Sequence, residues 1–160
     1  TRAQIEHSLD SFPLEWSEIQ ERRLRIDGDD GFGEIEVPRT YLRLQCEHEL
    51  RGKHIRLRQT YLLHHTDSAV LARALRASAS GFATLLRTML RLRGEDPPAD
   101  AARVIQRVAD LYHLDSQRLL TAHLFRYATR RHKTDEVLAL YRGFLAEMER
   151  LIGALEELSV

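Results

Sequence analysis

The sequence predicts a mainly α-helical protein: an antiparallel bundle of about five helices, preceded by a short α/β segment with two or three strands. Three observations lead there. From Pro38 onward, apolar residues recur at the spacing that lines one face of a helix. The runs are separated by cap and breaker residues, among them Asp67, Gly94, Pro97-Pro98, Asp115 and Thr134. Ahead of Pro38 the texture differs, with loose alternation and a turn rich in Gly and Asp.

Thr1-Arg2-Ala3-Gln4-Ile5-Glu6-His7 reads as helix, and an opening inside a helix without Met reads as the continuation of a longer chain. Ser11 to Ile19 alternates between apolar and polar residues and reads as a half-buried strand, with Pro13 at its start or edge. Leu24 and Ile26 suggest a second extended piece. Asp27-Gly28-Asp29-Asp30-Gly31-Phe32-Gly33 then turns into Glu34-Ile35-Glu36-Val37. Pro38 suits the first turn of a helix running to about His64, with Leu42, Cys46, Leu50, Leu57 and Tyr61 on one face. Asp67 caps a second long helix, lined by Leu71, Leu75, Phe82, Met89 and Leu92 and ending at Gly94. After Pro97-Pro98 a shorter helix carries Val104, Ile105, Val108 and Leu111. Asp115 recaps a fourth, with Leu119, Leu120, His123, Leu124 and Tyr127. Thr134 caps the last, whose stripe of Val137, Tyr141, Phe144, Met148, Leu151, Leu155 and Leu158 is widened by Leu138, Leu145 and Ile152.

The 160 residues are 43% apolar and 30% charged, and the formal net charge is zero. Such a balance suits one ordinary domain, or one domain with part of another, and offers no basic excess for specific DNA binding. The basic side chains are nearly all Arg, with only Lys53 and Lys133 as lysines, a bias that reads as genome composition. A single cysteine, Cys46, forbids an internal disulfide and fits a reducing, cytoplasmic setting. No apolar run approaches a membrane span and no signal-peptide pattern opens the residues.

The eight histidines and Cys46 lack the ligand spacing of a zinc site. Asp27-Gly28-Asp29-Asp30-Gly31 fails as a calcium loop, because Gly31 and Phe32 stand where an acidic or amide ligand and a glycine are needed. Asp27-x-Asp29 has the spacing of a magnesium pair, but no Gly-Ser turn accompanies it, so it reads as a solvated turn. Neither GxGxxG nor a P-loop occurs, and neither the serines nor Cys46 has the context of a catalytic triad; Cys46 falls on an apolar stripe as a small core residue. Arg43/His48, Arg58/His64 and Arg126/His132 match an Arg-then-His spacing found in some helical ribonucleases, although so many arginines supply such matches by chance. Arg58 and His64 fit best, at a helix end where a His can titrate.

The segment Glu47 to Tyr61 gathers Arg51, Lys53, His54, Arg56 and Arg58 around Gly52, a residue that weakens a helix unless something approaches closely. The stretch reads either as a surface facing a phosphate or an acidic partner, or as a salt-bridged face with a helix-packing glycine. The candidate contacts are Arg51, Lys53, Arg58 and His64; no catalytic and no metal residue is assigned.

Cys46-Glu47-His48-Glu49-Leu50-Arg51-Gly52-Lys53, with Arg56-Leu57-Arg58-Gln59-Thr60-Tyr61-Leu62 and the earlier Ser8-Leu9-Asp10-Ser11-Phe12-Pro13-Leu14-Glu15, resembles bacterial two-part proteins of the nucleotidyltransferase superfamily. In these a small nucleotidyltransferase-fold domain precedes a helical domain similar to substrate-binding or HEPN-like bundles. The resemblance implies that residues 1–37 are the tail of the transferase domain and residues 38–160 the helical bundle domain. It implies that the Gly-Ser turn and the acidic residues holding magnesium and a nucleoside triphosphate lie upstream of Thr1, with no cofactor bound by this chain. Glu15 and Glu18 fall near the family's final strand carboxylate without being the expected Asp.

The function so implied is that of an accessory part for substrate docking or dimer formation. Its expected partners are a second copy paired through the long helices, and a nucleotide or acidic group, with no membrane involved. Two alternatives are a helical interaction module without enzymatic activity, and a HEPN-type ribonuclease using Arg58 and His64.

Overall fold

The computed structural model describes residues 2–22, 35–129 and 132–158, and the regular structure among them is entirely helical. In chain order the elements are α1 (Arg2–Glu6), α2 (Pro13–Arg22), α3 (Arg39–His64), α4 (Ser68–Ala79), α5 (Phe82–Leu92), α6 (Ala101–Tyr112), α7 (Ser116–Phe125) and α8 (Thr134–Glu156). The long helix α3 is central: α8, α4, α5 and α2 all pack against it. Helices α6 and α7 close the bundle by joining α5 to α4 and α8. No described helix is long and apolar enough to cross a membrane.

The helical bundle and its apolar stripes are as expected. On α8, every residue of the stripe from Val137 to Leu155 is buried, as is Leu158 just beyond it, and Phe144 meets Phe82 of α5 edge-on at 5.1 Å between ring centres. Tyr141, fully buried, donates its hydroxyl to the Leu57 carbonyl at 2.8 Å and stacks on Tyr61, which fastens α8 to α3. Burial raises the Tyr141 phenol to about 12, so it keeps its proton, and this bond, at neutral pH. Asp67, Asp100 and Asp115 cap α4, α6 and α7 by accepting from backbone N–H groups two or three residues on. Helix α5 ends in a Schellman turn: Glu95 N–H donates to Leu90 carbonyl, Gly94 N–H to Arg91 carbonyl, and Gly94 holds φ at 78°.

Among the described residues the expected α/β opening is not borne out, since none of them forms a strand. Residues Ser11–Ile19, read as a strand, belong largely to α2. Trp16 N–H bonds back to the Phe12 carbonyl at 3.1 Å, Pro13 takes the first helical position, and Leu14 and Ser17, three apart, turn inward. Over so short a stretch, two or three inward residues fit either period, and Pro13 with its fixed φ suits the start of either element. Ile35–Val37 forms no strand. The suggested extended piece at Leu24 and Ile26, and the turn from Asp27 to Gly33, lie outside the described residues.

Two further boundaries move. The second long helix is two helices, α4 and α5, because Ser80 is extended (ψ 132°) and Gly81 adopts φ 72°. The break is masked in the apolar pattern, since Leu75 and Phe82 stand seven residues apart and would share a face of one continuous helix. Thr134 does not cap α8. It is the first helical residue; Lys133 holds the cap position, without a side-chain capping bond, and the Thr134 hydroxyl reaches the Ser68 hydroxyl at 3.3 Å.

Candidate functional site

The cations around Gly52 spread round α3 and open into two different clefts. Arg51, His54 and Arg58 line the cleft between α3 and α8, of about 460 Å³, together with Glu149 and Glu156. This side neutralises itself. Arg51 pairs with Glu47 at 2.9 Å and with Glu156, and Glu47 also pairs with Arg43 at 3.2 Å. Burial pulls the His54 imidazole below its ordinary value, with Glu149 opposing and Arg58 adding to the effect.

The cleft between α3 and α4, about 300 Å³, is different in kind. Lys53, Arg56 and Thr60 of α3 face Ala74, Ala77 and Ser78 of α4, and no carboxylate lines it. Burial lowers the Lys53 ammonium below the usual lysine value; Glu49 opposes this and Arg56 reinforces it. Lys53 Nζ donates to the Ser80 carbonyl at 3.3 Å, the carbonyl freed where α4 breaks off. One of its three N–H groups is thus used. Ser78 is only 8% exposed, and its buried hydroxyl has no hydrogen-bond partner. Leaving such a group unpaired costs about 1–3 kcal/mol.

Gly52 is not a helix-packing glycine. The three atoms nearest to a Cβ placed there all belong to the Arg56 guanidinium of the same helix, at 3.6–3.8 Å. What approaches the bare backbone is therefore the cation one turn ahead. This holds Arg56 along the helix at the edge of the α3–α4 cleft.

The expected contact residues are thus not brought together. Lys53 lines the α3–α4 cleft and also a second one with Glu15, Glu18 and Glu49, Arg51 and Arg58 line the α3–α8 cleft, and His64 is exposed at the end of α3. Arg58 and His64 are six positions apart on the helix, which turns them about 120° from each other around the axis. Glu18, set beside a strand carboxylate by the family resemblance, lies on a helix instead and accepts from the Thr84 hydroxyl at 2.8 Å. Cys46 is fully buried beside the Leu85 carbonyl, and burial raises its thiol to about 12, which leaves no thiolate for chemistry at neutral pH. Among the described residues, no group of three or more His, Cys, Asp or Glu is placed to hold a metal ion. The Asp27-x-Asp29 pair lies outside them.

Sequence reasoning missed Arg56 and Ser78 as members of a site. Arg56 was legible only as one more cation in a basic run. Ser78 carries no signal in sequence, because its importance comes from facing Lys53 and Arg56 across two helices.

No protein-family model, curated protein or solved structure matches this chain.

Proposed function

We propose that this chain is the docking part of a two-part, nucleotidyltransferase-like protein, and that the basic stretch of α3 holds an acidic or phosphate-bearing partner. One observation carries the docking reading. Lys53 and Arg56 line a half-enclosed cleft whose lining includes no carboxylate, whereas the lining around Arg51 and Arg58 includes Glu149 and Glu156. Neighbouring cations repel one another and favour an anion between them, and burial adds to this at Lys53. The transferase assignment rests on the sequence resemblance alone.

Each half of the reading has its own test. Calorimetric titration with polyphosphate should show binding that weakens as salt rises. Lys53→Met/Arg56→Gln should reduce the affinity about tenfold or more, the loss of charge-assisted contacts. Arg73→Gln/Arg103→Gln, which removes the same charge elsewhere, should change it little. Equal losses in both pairs would reduce the docking surface to general charge. For the transferase half, the intact gene product should be heavier than this chain and carry a Gly-Ser…Asp-x-Asp segment ahead of Thr1. A product lacking that segment refutes the assignment and leaves a helical interaction module.

A further inference from the structure

We infer that the α3–α4 cleft is a binding site for a small phosphomonoester, with its phosphate between Lys53, Arg56 and the Ser78 hydroxyl and its organic part along Ala74 and Ala77. The inference deepens the docking reading, on which it rests, by naming one cleft and one ligand chemistry.

The argument begins with donors. A phosphate oxyanion only accepts hydrogen bonds at neutral pH, so its site must supply N–H and O–H groups. Lys53 keeps two N–H donors beyond the one given to the Ser80 carbonyl at 3.3 Å. Arg56 lies along the Gly52 backbone and presents a guanidinium fork to the same cleft. Thr60 is not a third donor, because its hydroxyl already donates to the Arg56 carbonyl at 2.9 Å. Ser78 is the candidate: it lines the cleft, its hydroxyl is buried without a partner, and a turn about its single χ1 bond would bring that hydroxyl to an acceptor in the cleft. Two cations and an unsatisfied hydroxyl are what an oxyanion would complete.

The remaining lining selects the ester over the free ion. Leu57, Ala74 and Ala77 form an apolar wall beside the polar groups. A volume of about 300 Å³ is at the lower end of the range of ligand sites, roughly 300–1,000 Å³. That suits a phosphate with a short organic group rather than a polymer. The α3–α8 cleft carries Arg51 and Arg58 yet fails the same test, because Glu149 and Glu156 stand where the anion would sit.

The test is calorimetric titration of the full chain with butyl phosphate and with inorganic phosphate. Butyl phosphate should bind several-fold more tightly, because its alkyl group leaves water. Lys53→Met and Arg56→Gln should each weaken it about tenfold, with unchanged Tm. Ser78→Ala guards against folding failures: removing an unpartnered buried hydroxyl should leave Tm the same or higher and still weaken binding. A purely structural Ser78 would leave the affinity untouched. Arg58→Gln should bind like the parent. Equal affinity for the two phosphates, or wild-type affinity in Lys53→Met, Arg56→Gln and Ser78→Ala, overturns the inference. If polyphosphate still binds while these three variants behave as wild type, the cleft assignment fails and the docking reading stands. If polyphosphate does not bind either, both fall.

Discussion

Glu147 has no exposed surface, yet it is a charged residue that accepts from both backbone and side chain. It takes the Asp115 backbone N–H at 3.1 Å and Arg118 at 3.2 Å, and Arg150 stands 3.5 Å away. Both arginines are largely exposed, so their pairing adds little, and the partly buried N–H bond at the start of α7 carries most of the effect. Glu147→Leu should therefore lower stability by about 2–3 kcal/mol in chemical denaturation, since it orphans that N–H. Glu147→Gln, which keeps an acceptor, should cost clearly less. His123 is the second buried polar residue with a consequence. Its Nδ1 has no partner, and burial, helped by Arg126, holds its imidazole below the ordinary value. His54 is shifted the same way. The unfolded chain thus takes up protons at a higher pH than the folded one. The stability is present above the unfolded histidine value, about 6.5, and is lost as pH falls through the lower folded value. Urea titrations between pH 7.5 and 5 should show declining stability, with a shallower slope in His123→Phe; an unchanged slope would exclude His123 as a source.

At the level of the helices, Gly81 and Gly52 make opposite predictions from the same residue type. Gly81 joins α4 to α5 at φ 72°, with open space where a Cβ would stand. Gly81→Ala should cost about 1 kcal/mol, all of it backbone strain, readable in thermal denaturation. Gly52 lies inside α3 in ordinary helical geometry, and an added methyl would only touch the Arg56 guanidinium at 3.6 Å. Gly52→Ala should raise stability by up to about 1 kcal/mol, the helix-propensity difference. A loss at this position would mean that Arg56 cannot tolerate the contact.

For the molecule as a whole, the long apolar stripe of α8 is already spent. Tyr141, Met148, Leu151 and Leu155 are fully buried against the rest of the chain. Offering that stripe to a second copy would forfeit roughly 2 kcal/mol for each side chain withdrawn from the core. Pairing through the face of the long helix that looks most like a coiled-coil seam is therefore incompatible with the folded bundle. The apolar side chains exposed among the described residues include Leu62 (71% exposed) and Leu63 (76%) at the end of α3, Leu44 and Ile55 further back on it, Leu124 on α7 and Tyr127 just after it. Met148→Ala should cost about 2–5 kcal/mol, whereas Leu62→Gln/Leu63→Gln should leave the denaturation midpoint nearly unchanged.

The helical class, the caps at Asp67 and Asp115, the stop at Gly94 and the α8 stripe are legible in the residues because they depend on contacts within a few positions of each other. Asp67 bonds to Ala69 and Val70, and the stripe repeats at the period of the helix itself. The identity of α2 is not legible, because its short run fits two periods and docking on α3 chooses between them. Nor is the break at Ser80-Gly81, hidden by a seven-residue spacing that one straight helix also satisfies. The basic run around Gly52 is visible as composition, but adjacency along α3 says nothing about which neighbour each cation meets. Only packing decides that Arg51 meets Glu156 while Lys53 and Arg56 share a cleft with Ser78, because residues one or two apart on a helix leave it in different directions. The helices follow from local periodicity; the cleft follows from which helices lie side by side.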